Sequence, residues 1–158
     1  FLNSDEVQKV VDQVGLYAIL ERDPRGFVNG SGWVHAFSAL PSLGNELCSH
    51  NELVRGDKIF LQAVIVEGYR FMPQVLSMGE NEEVGSFLLS LMEQHQLYQH
   101  FFKAQLKRWR ADLDSDEPAS RQSWSRIFNY RHLMQSMLLD GRLPQDIVKQ
   151  IVTDDSTD

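Results

Sequence analysis

Apolar residues recur at helical spacing along almost the whole chain, and this periodicity limits the folds open to it. The first stretch runs from Val7 to Val14 with valines at the i, i+3, i+4 and i+7 positions, the pattern of a helix that buries one face. Asn3 and Glu6 are spaced as a capping box at its start, in which each side chain binds the other residue's backbone amide. We expect this helix to end near Glu21, because a proline follows shortly afterwards.

Six further stretches share this periodicity. Their apolar residues include Trp33, Phe37 and Leu47 in the second; Phe60, Val64 and Tyr69 in the third; Val84, Leu88 and Met92 in the fourth; Leu97, Phe101, Leu106 and Trp109 in the fifth; Trp124, Phe128, Leu133 and Met137 in the sixth; and Ile147 and Ile151 in the seventh. No stretch shows sustained two-residue alternation between hairpin turns. The sequence therefore predicts an all-α protein, either antiparallel helix pairs stacked in a HEAT-like α-α superhelix or a compact helical bundle.

Three glycines lie between the first two helical stretches, in the segment from Arg25 to His35. Such a density of glycine is typical of a backbone that needs a positive φ or a close approach to another group. We predict a built loop here, followed by a second helix capped by Ser31 and kinked or split at Pro41. Trp33 and His35 would then lie in the first turns of that helix.

Length and composition favour a single domain. The chain has 158 residues, of which 42% are hydrophobic and 23% charged, and this suffices for one core. We predict one helical domain over residues 1–152 and a disordered acidic tail over 153–158. The chain begins at Phe1 and not at methionine. A second interpretation is therefore that it forms the carboxy-terminal part of a longer protein.

Charge and cysteine content exclude several partners. The formal net charge is −7, which argues against nucleic acid binding because phosphates require a clustered basic face. The basic residues from Lys103 to Arg110 are interpreted as a solvated helix face.

No apolar run approaches the ~18 residues that span a bilayer. The single cysteine, Cys48, is typical of a buried residue in a reducing compartment, so we expect a cytoplasmic protein without a membrane partner.

One motif resembles a known family. The string Arg25-Gly-Phe-Val-x-Gly30-x-Gly32-Trp33-x-His35-Ala, followed by Leu-x-x-Glu-Leu, resembles the bacterial family DUF2785, whose function is unknown. The resemblance extends from about residue 7 to residue 139 and implies an all-α, HEAT-like superhelical fold; it implies no activity. Relatives tend to carry a second histidine and an acidic residue shortly after the motif, where this chain has alanine and serine.

The candidate ligand-binding residues are Arg25, Gly30, Gly32, Trp33 and His35. The arginine could bind a carboxylate or phosphate together with the backbone amides around the glycines at a helix amino terminus. In the structural alternative, the tryptophan fills the core and the glycines only allow two helices to cross closely. We predict no metal and no cofactor, since the histidines show no zinc-binding spacing.

The sequence leaves two functions open. The first is a non-catalytic helical-repeat domain that binds a protein or peptide on its concave face, and the exposed faces of the third and fifth helices beside Trp109 are the first candidates for that surface. The second is an enzyme or small-ligand protein that uses Arg25, Trp33 and His35 in a pocket. No catalytic residue is assigned, and the non-catalytic interpretation is preferred.

Overall fold

The computed structural model describes residues 3–23, 27–30, 32–33, 37–115 and 120–155. In these ranges the protein is all-α, as predicted. Its helices are α1 (Ser4–Leu20), α2 (Ala39–Ser49), α3 (Arg55–Arg70), α4 (Glu80–Gln94), α5 (Gln96–Ser115), α6 (Arg121–Asp140) and α7 (Gln145–Asp155), with a two-residue pair of strands, β1 (Phe27–Val28) and β2 (Gly32–Trp33), between α1 and α2.

Helix ends follow the capping residues of the sequence closely. At the start of α1 the Glu6 amide donates to Asn3 Oδ1 at 3.0 Å and the Asn3 amide donates to Glu6 Oε2 at 2.8 Å, so the predicted capping box is confirmed. Ser120 caps α6 by accepting the Ser123 amide, and Gly141 ends it in the left-handed conformation, with φ +83°. The start of α1 agrees with the prediction because side-chain caps are short-range interactions.

The start of the second helix was predicted wrongly. Gly30 has φ +89°, and the turn that it forms lets β1 pair antiparallel with β2, with Phe27 opposite Trp33. Trp33 therefore lies on a strand, and α2 begins only at Ala39. Strands of two residues are too short for any alternation of polar and apolar residues to reveal them.

Pro41 neither kinks nor splits α2, because it lies in the first turn of that helix. The first four amides of a helix have no partner within it, so proline removes no hydrogen bond there. The last helix also differs from expectation in extent: α7 continues to Asp155, and the Thr153 hydroxyl donates to the Lys149 carbonyl inside it. Residues 156–158 of the predicted tail lie outside the described residues.

The helices form two layers. α1 packs on α3 and α3 on α5, while α2 packs on α4 and α4 on α6, with further contacts between the layers. We call the first set the odd layer and the second the even layer. α7 joins the odd layer beside α5, because Lys103 Nζ contacts Asp146 Oδ2 at 2.8 Å and Gln150 donates to the Lys103 carbonyl. Contacts between every second helix are those expected of side-by-side helix pairs.

One continuous core of buried residues extends from Val7 in α1 to Ile151 in α7. At its centre an aromatic chain crosses both layers: Trp109 of α5 contacts Tyr69 of α3, with ring centroids 6.1 Å apart, and Tyr130 of α6, with centroids 5.1 Å apart, both edge to face. This geometry suits aromatic quadrupoles. The core therefore joins the two layers through the side chain of Trp109.

Buried polar groups make two further contacts between elements, one at α6 and one within the odd layer. Asn129 of α6 is fully buried and donates to the Gln74 carbonyl at 2.9 Å, and its Oδ1 accepts the Leu76 amide at 2.9 Å. These two bonds hold the connection between α3 and α4 against α6. Within the odd layer, Arg70 of α3 binds Asp112 of α5. Such groups remain buried because each is hydrogen-bonded.

Candidate functional site

The five predicted site residues are only partly described. Arg25 and His35 lie outside the described residues, so their part in an anion site stays a prediction. Gly30 and Gly32 lie on the turn and on β2 of the short hairpin. The turn accounts for the positive φ of Gly30. A bound ligand is therefore not needed to explain why glycine occurs at this position. The helix amino terminus expected beside them is not there, because α2 starts at Ala39.

Trp109 was expected at an exposed binding surface, and this prediction is wrong. Its side chain is fully buried, with 0% exposure, since α5 has α3 and α6 packed around this position. The arginines next to it make ion pairs along the helices: Arg108 with Glu67 at 3.7 Å and Arg110 with Asp114 at 3.4 Å. This part of α5 therefore offers no exposed aromatic group.

Aromatic side chains are exposed on α6, where the sequence periodicity indicated core, and less strongly at Tyr17 of α1 and at Phe60 and Phe71 in and after α3. Trp124 is 62% exposed, Phe128 45% and Leu139 87%. Together with Arg121 and Arg131 they form what we call the α6 surface. The residues Leu133 and Met137, on the opposite side of the helix, are fully buried. α6 thus has apolar groups on two faces, one inside the core and one facing solvent.

Spacing along α6 explains why these side chains form one stripe. Trp124, Phe128 and Arg131 follow each other at four and three residues, and Leu139 lies eight further along, so all project from one side of a 3.6-residue helix. A shallow cavity of ≈ 320 Å³ lies at the start of the stripe, lined by Val75, Trp124 and Phe128 among others. The sequence contained a signal for this surface, because the aromatic residues of α6 are spread too widely around the helix to lie on a single buried face.

A polar groove of ≈ 610 Å³ runs beside the stripe, between α4 and α6. Asn81, Glu82 and Ser86 line it from α4, and His132 and Asp140 from α6. The His132 ring contacts the Phe128 ring at a tilt of 52°, with centroids 4.9 Å apart, and this contact connects the groove to the α6 surface. Among the described residues His132 Nδ1 has no hydrogen-bond partner, although the atom is buried.

The α6 surface is positively charged within an acidic chain. In the described part of the chain, neither Arg121 nor Arg131 makes an ion pair or a side-chain hydrogen bond, and both side chains are exposed. The net charge of the whole chain is −7. Two unpaired arginines beside exposed aromatic rings therefore distinguish this surface from the rest of the described exterior.

A metal site, a membrane-spanning helix and a reactive cysteine find no support in the described ranges. There, no group of three or more His, Cys, Asp or Glu side chains could hold a metal ion. In the same ranges no helix has the length and apolar content required to cross a bilayer. Cys48 is buried, and burial raises the pKa of its thiol to about 11, which keeps it protonated and a poor nucleophile at neutral pH.

Comparison with known proteins gives a family. The model of the protein family of unknown function DUF2785 matches residues 1–139 of the chain. The chain belongs to this family. No curated protein and no solved structure matches it. Membership in DUF2785 agrees with the resemblance carried by the Arg25–His35 motif, and it assigns no reaction or partner to the α6 surface.

Proposed function

We propose that this member of DUF2785 is a non-catalytic, HEAT-like helical-repeat domain that binds a protein or peptide partner. The observation that carries the proposal is the exposure of Trp124, Phe128 and Leu139 on one side of α6. Leaving large apolar side chains in water forgoes the ~1.5–3 kcal/mol that burial of each would contribute. Contiguous exposed apolar groups with a polar rim are typical of interaction sites.

The composition of the α6 surface is also that of a binding hot spot. Trp and Arg are the residues most enriched where alanine substitution costs the most binding energy. Trp124 lies between Arg121 and Arg131 in the sequence and on the same helix face. The sequence-based hypothesis placed the partner on a concave face near the third and fifth helices; the proposal now places it on α6, because Trp109 is buried.

The same proposal includes a cytoplasmic location. The support is a single free cysteine that is buried, because thiols of this kind persist in reducing compartments.

Site-specific photo-crosslinking in the native host tests the proposal. A photoreactive amino acid replaces Leu139 on α6, and in a control chain it replaces Lys107, which is exposed on α5 in the other layer. We expect the same protein to be crosslinked repeatedly from position 139 and not from position 107. Crosslinking that is absent, or equal from both positions, would contradict the proposal.

A further inference from the structure

We infer that the α6 surface binds an acidic amphipathic helix of another protein, whose apolar side chains pack on Trp124 and Phe128 and whose carboxylates pair with Arg121 and Arg131. This inference rests on the proposed function and adds the chemistry of the partner. It depends on three features of the described residues: the length of the apolar stripe, its two unpaired arginines, and the uncovered side of α6.

The stripe has the length of a helix-binding surface. From Trp124 to Leu139 it spans sixteen residues of α6, or roughly 22 Å at a rise of 1.5 Å per residue. Trp124 and Phe128 lie one turn apart, and Leu139 lies about three turns further along the same face, beyond the polar residues Arg131 and Gln135. A partner helix of about four turns would cover Trp124, Phe128 and Leu139 together, whereas a small molecule in the ≈ 320 Å³ cavity would cover only the first two.

The even layer leaves room for such a helix. α6 packs on α4 at one side, and the close approach there is marked by Gly85, whose added Cβ would lie 3.1 Å from Met137 Cγ. The side of α6 that carries Trp124 and Phe128 is exposed, whereas Leu133 and Met137 on its other side are buried. A helix bound along α6 would therefore extend the even layer and shield the stripe from water.

Charge decides between a second copy of this chain and a different partner. If two copies met through this stripe with their α6 helices antiparallel about its midpoint, each Arg131 would lie beside the Arg131 of the other copy. A parallel arrangement would also place each arginine next to its equivalent. Like charges at an interface are unfavourable, so the α6 surface opposes self-association and favours carboxylates.

Among the described residues, two carboxylates close to this surface, those of Asp114 and Asp140, pair with other arginines. Asp114 lines a small cavity with Arg131, but its Oδ1 lies 3.4 Å from Arg110 Nε. Asp140, at the end of α6, is held by Arg142, whose Nε lies 2.6 Å from Asp140 Oδ1; this hydrogen bond lowers the pKa of the carboxyl. Within the described part of the chain, both arginines of the stripe are therefore available to a partner's carboxylates.

The test uses the full chain against a displayed library of random 16-residue peptides. We expect enriched peptides to combine apolar residues at helical spacing with several Asp or Glu. Their affinity, measured by fluorescence anisotropy with the synthetic peptides, should fall at least about tenfold with Trp124→Ser. It should fall about tenfold with the pair Arg121→Glu and Arg131→Glu, and this loss should diminish at high salt.

A matched control separates local charge from total charge. The pair Lys107→Glu and Lys149→Glu makes the same change in net charge on the odd layer, where both lysines are exposed, and it should change peptide affinity less than twofold. Panning of the Arg121→Glu, Arg131→Glu chain should enrich basic peptides instead. Circular dichroism of each variant shows whether the helices are retained.

Several results would overturn the inference. Enriched peptides without acidic bias, or peptides equally weakened by the two charge variants, would show that the arginines do not select the partner. Sedimentation equilibrium showing a dimer that Trp124→Ser dissociates would assign the stripe to a second copy. If position 139 crosslinks a partner while the peptides show no acidic preference, the proposed function stands and the inference fails.

Discussion

Gly68 lies where α1 and α3 make their closest contact. A Cβ added there would lie 2.3 Å from the carbonyl oxygen of Ala18 and 3.1 Å from Phe37 Cε2. The first atom belongs to the backbone of α1, so it cannot rotate away as a side chain would. The close approach of the two helices therefore requires glycine at this position, although nothing in the local sequence sets Gly68 apart from the other glycines.

Gly68→Ala should accordingly destabilise the protein. We expect the free energy of unfolding to fall by about 1–3 kcal/mol, the range found when a well-packed core is overfilled. The measurement is urea unfolding followed by circular dichroism. Gly56→Ala is the control in the same helix, because an added Cβ there meets nothing within 4 Å; it should be neutral or stabilising by up to about 1 kcal/mol. Equal effects at both positions would show that α1 does not approach Gly68 as described.

The two tryptophans of α5 and α6 mark the limit of residue-level prediction. Both occur in stretches with helical periodicity, and the sequence indicated exposure near Trp109 and burial of Trp124. The structure has the reverse: Trp109 is 0% exposed and Trp124 62%. Composition around each residue does not report how many neighbouring helices surround it, and that number determines burial.

Helix boundaries were predicted well where a side-chain cap determines them. α1 starts after Asn3 with the predicted capping box. The exception is α2, whose start was placed at Ser31 and lies at Ala39. There the chain forms a hairpin through the backbone hydrogen bonds of β1 and β2, and backbone pairing between such short strands leaves little pattern in the sequence.

Removing the amino-terminal cap of α1 tests how much this one interaction stabilises the protein. Asn3→Ala deletes the acceptor for the Glu6 amide and should lower the free energy of unfolding by roughly 0.5–2 kcal/mol. Asn3→Asp is the control, because it keeps an acceptor at the same position and adds a favourable interaction with the helix dipole. Thermal unfolding by circular dichroism compares the two variants. A loss with Asp as large as that with Ala would contradict the role of the cap.

At the scale of the whole molecule, the buried core is continuous through both layers. Cys48 of α2 lies at one end of the even layer and is buried within that core. Opening of α2 would therefore expose a thiol that the folded protein protects. If the layers fold as one unit, this local event should coincide with loss of all helices.

Pulsed thiol labelling of Cys48 in urea should give the same midpoint as circular dichroism. At pH 8 the folded protein should react slowly, because burial raises the pKa of this thiol to about 11. The raised pKa implies a stabilising contribution that is complete below the unfolded value of about 8.5 and is lost as the pH rises towards 11. A chain with Cys48→Ala and Ser49→Cys, which moves the thiol to an exposed position, should react at once when folded. Labelling of Cys48 at lower urea than the helical transition would show that α2 unfolds independently.

The sequence alone determined the all-α class, the approximate extent of most helices and the family, because periodicity, caps and motifs are properties of neighbouring residues. Tertiary structure decided the two-layer packing, the hairpin around Gly30 and the exposure of Trp124. These depend on which helices come together in space. An apolar residue on α6 is buried only where α4 or the odd layer covers it, and on the remaining side of the helix the same kind of residue is exposed to solvent.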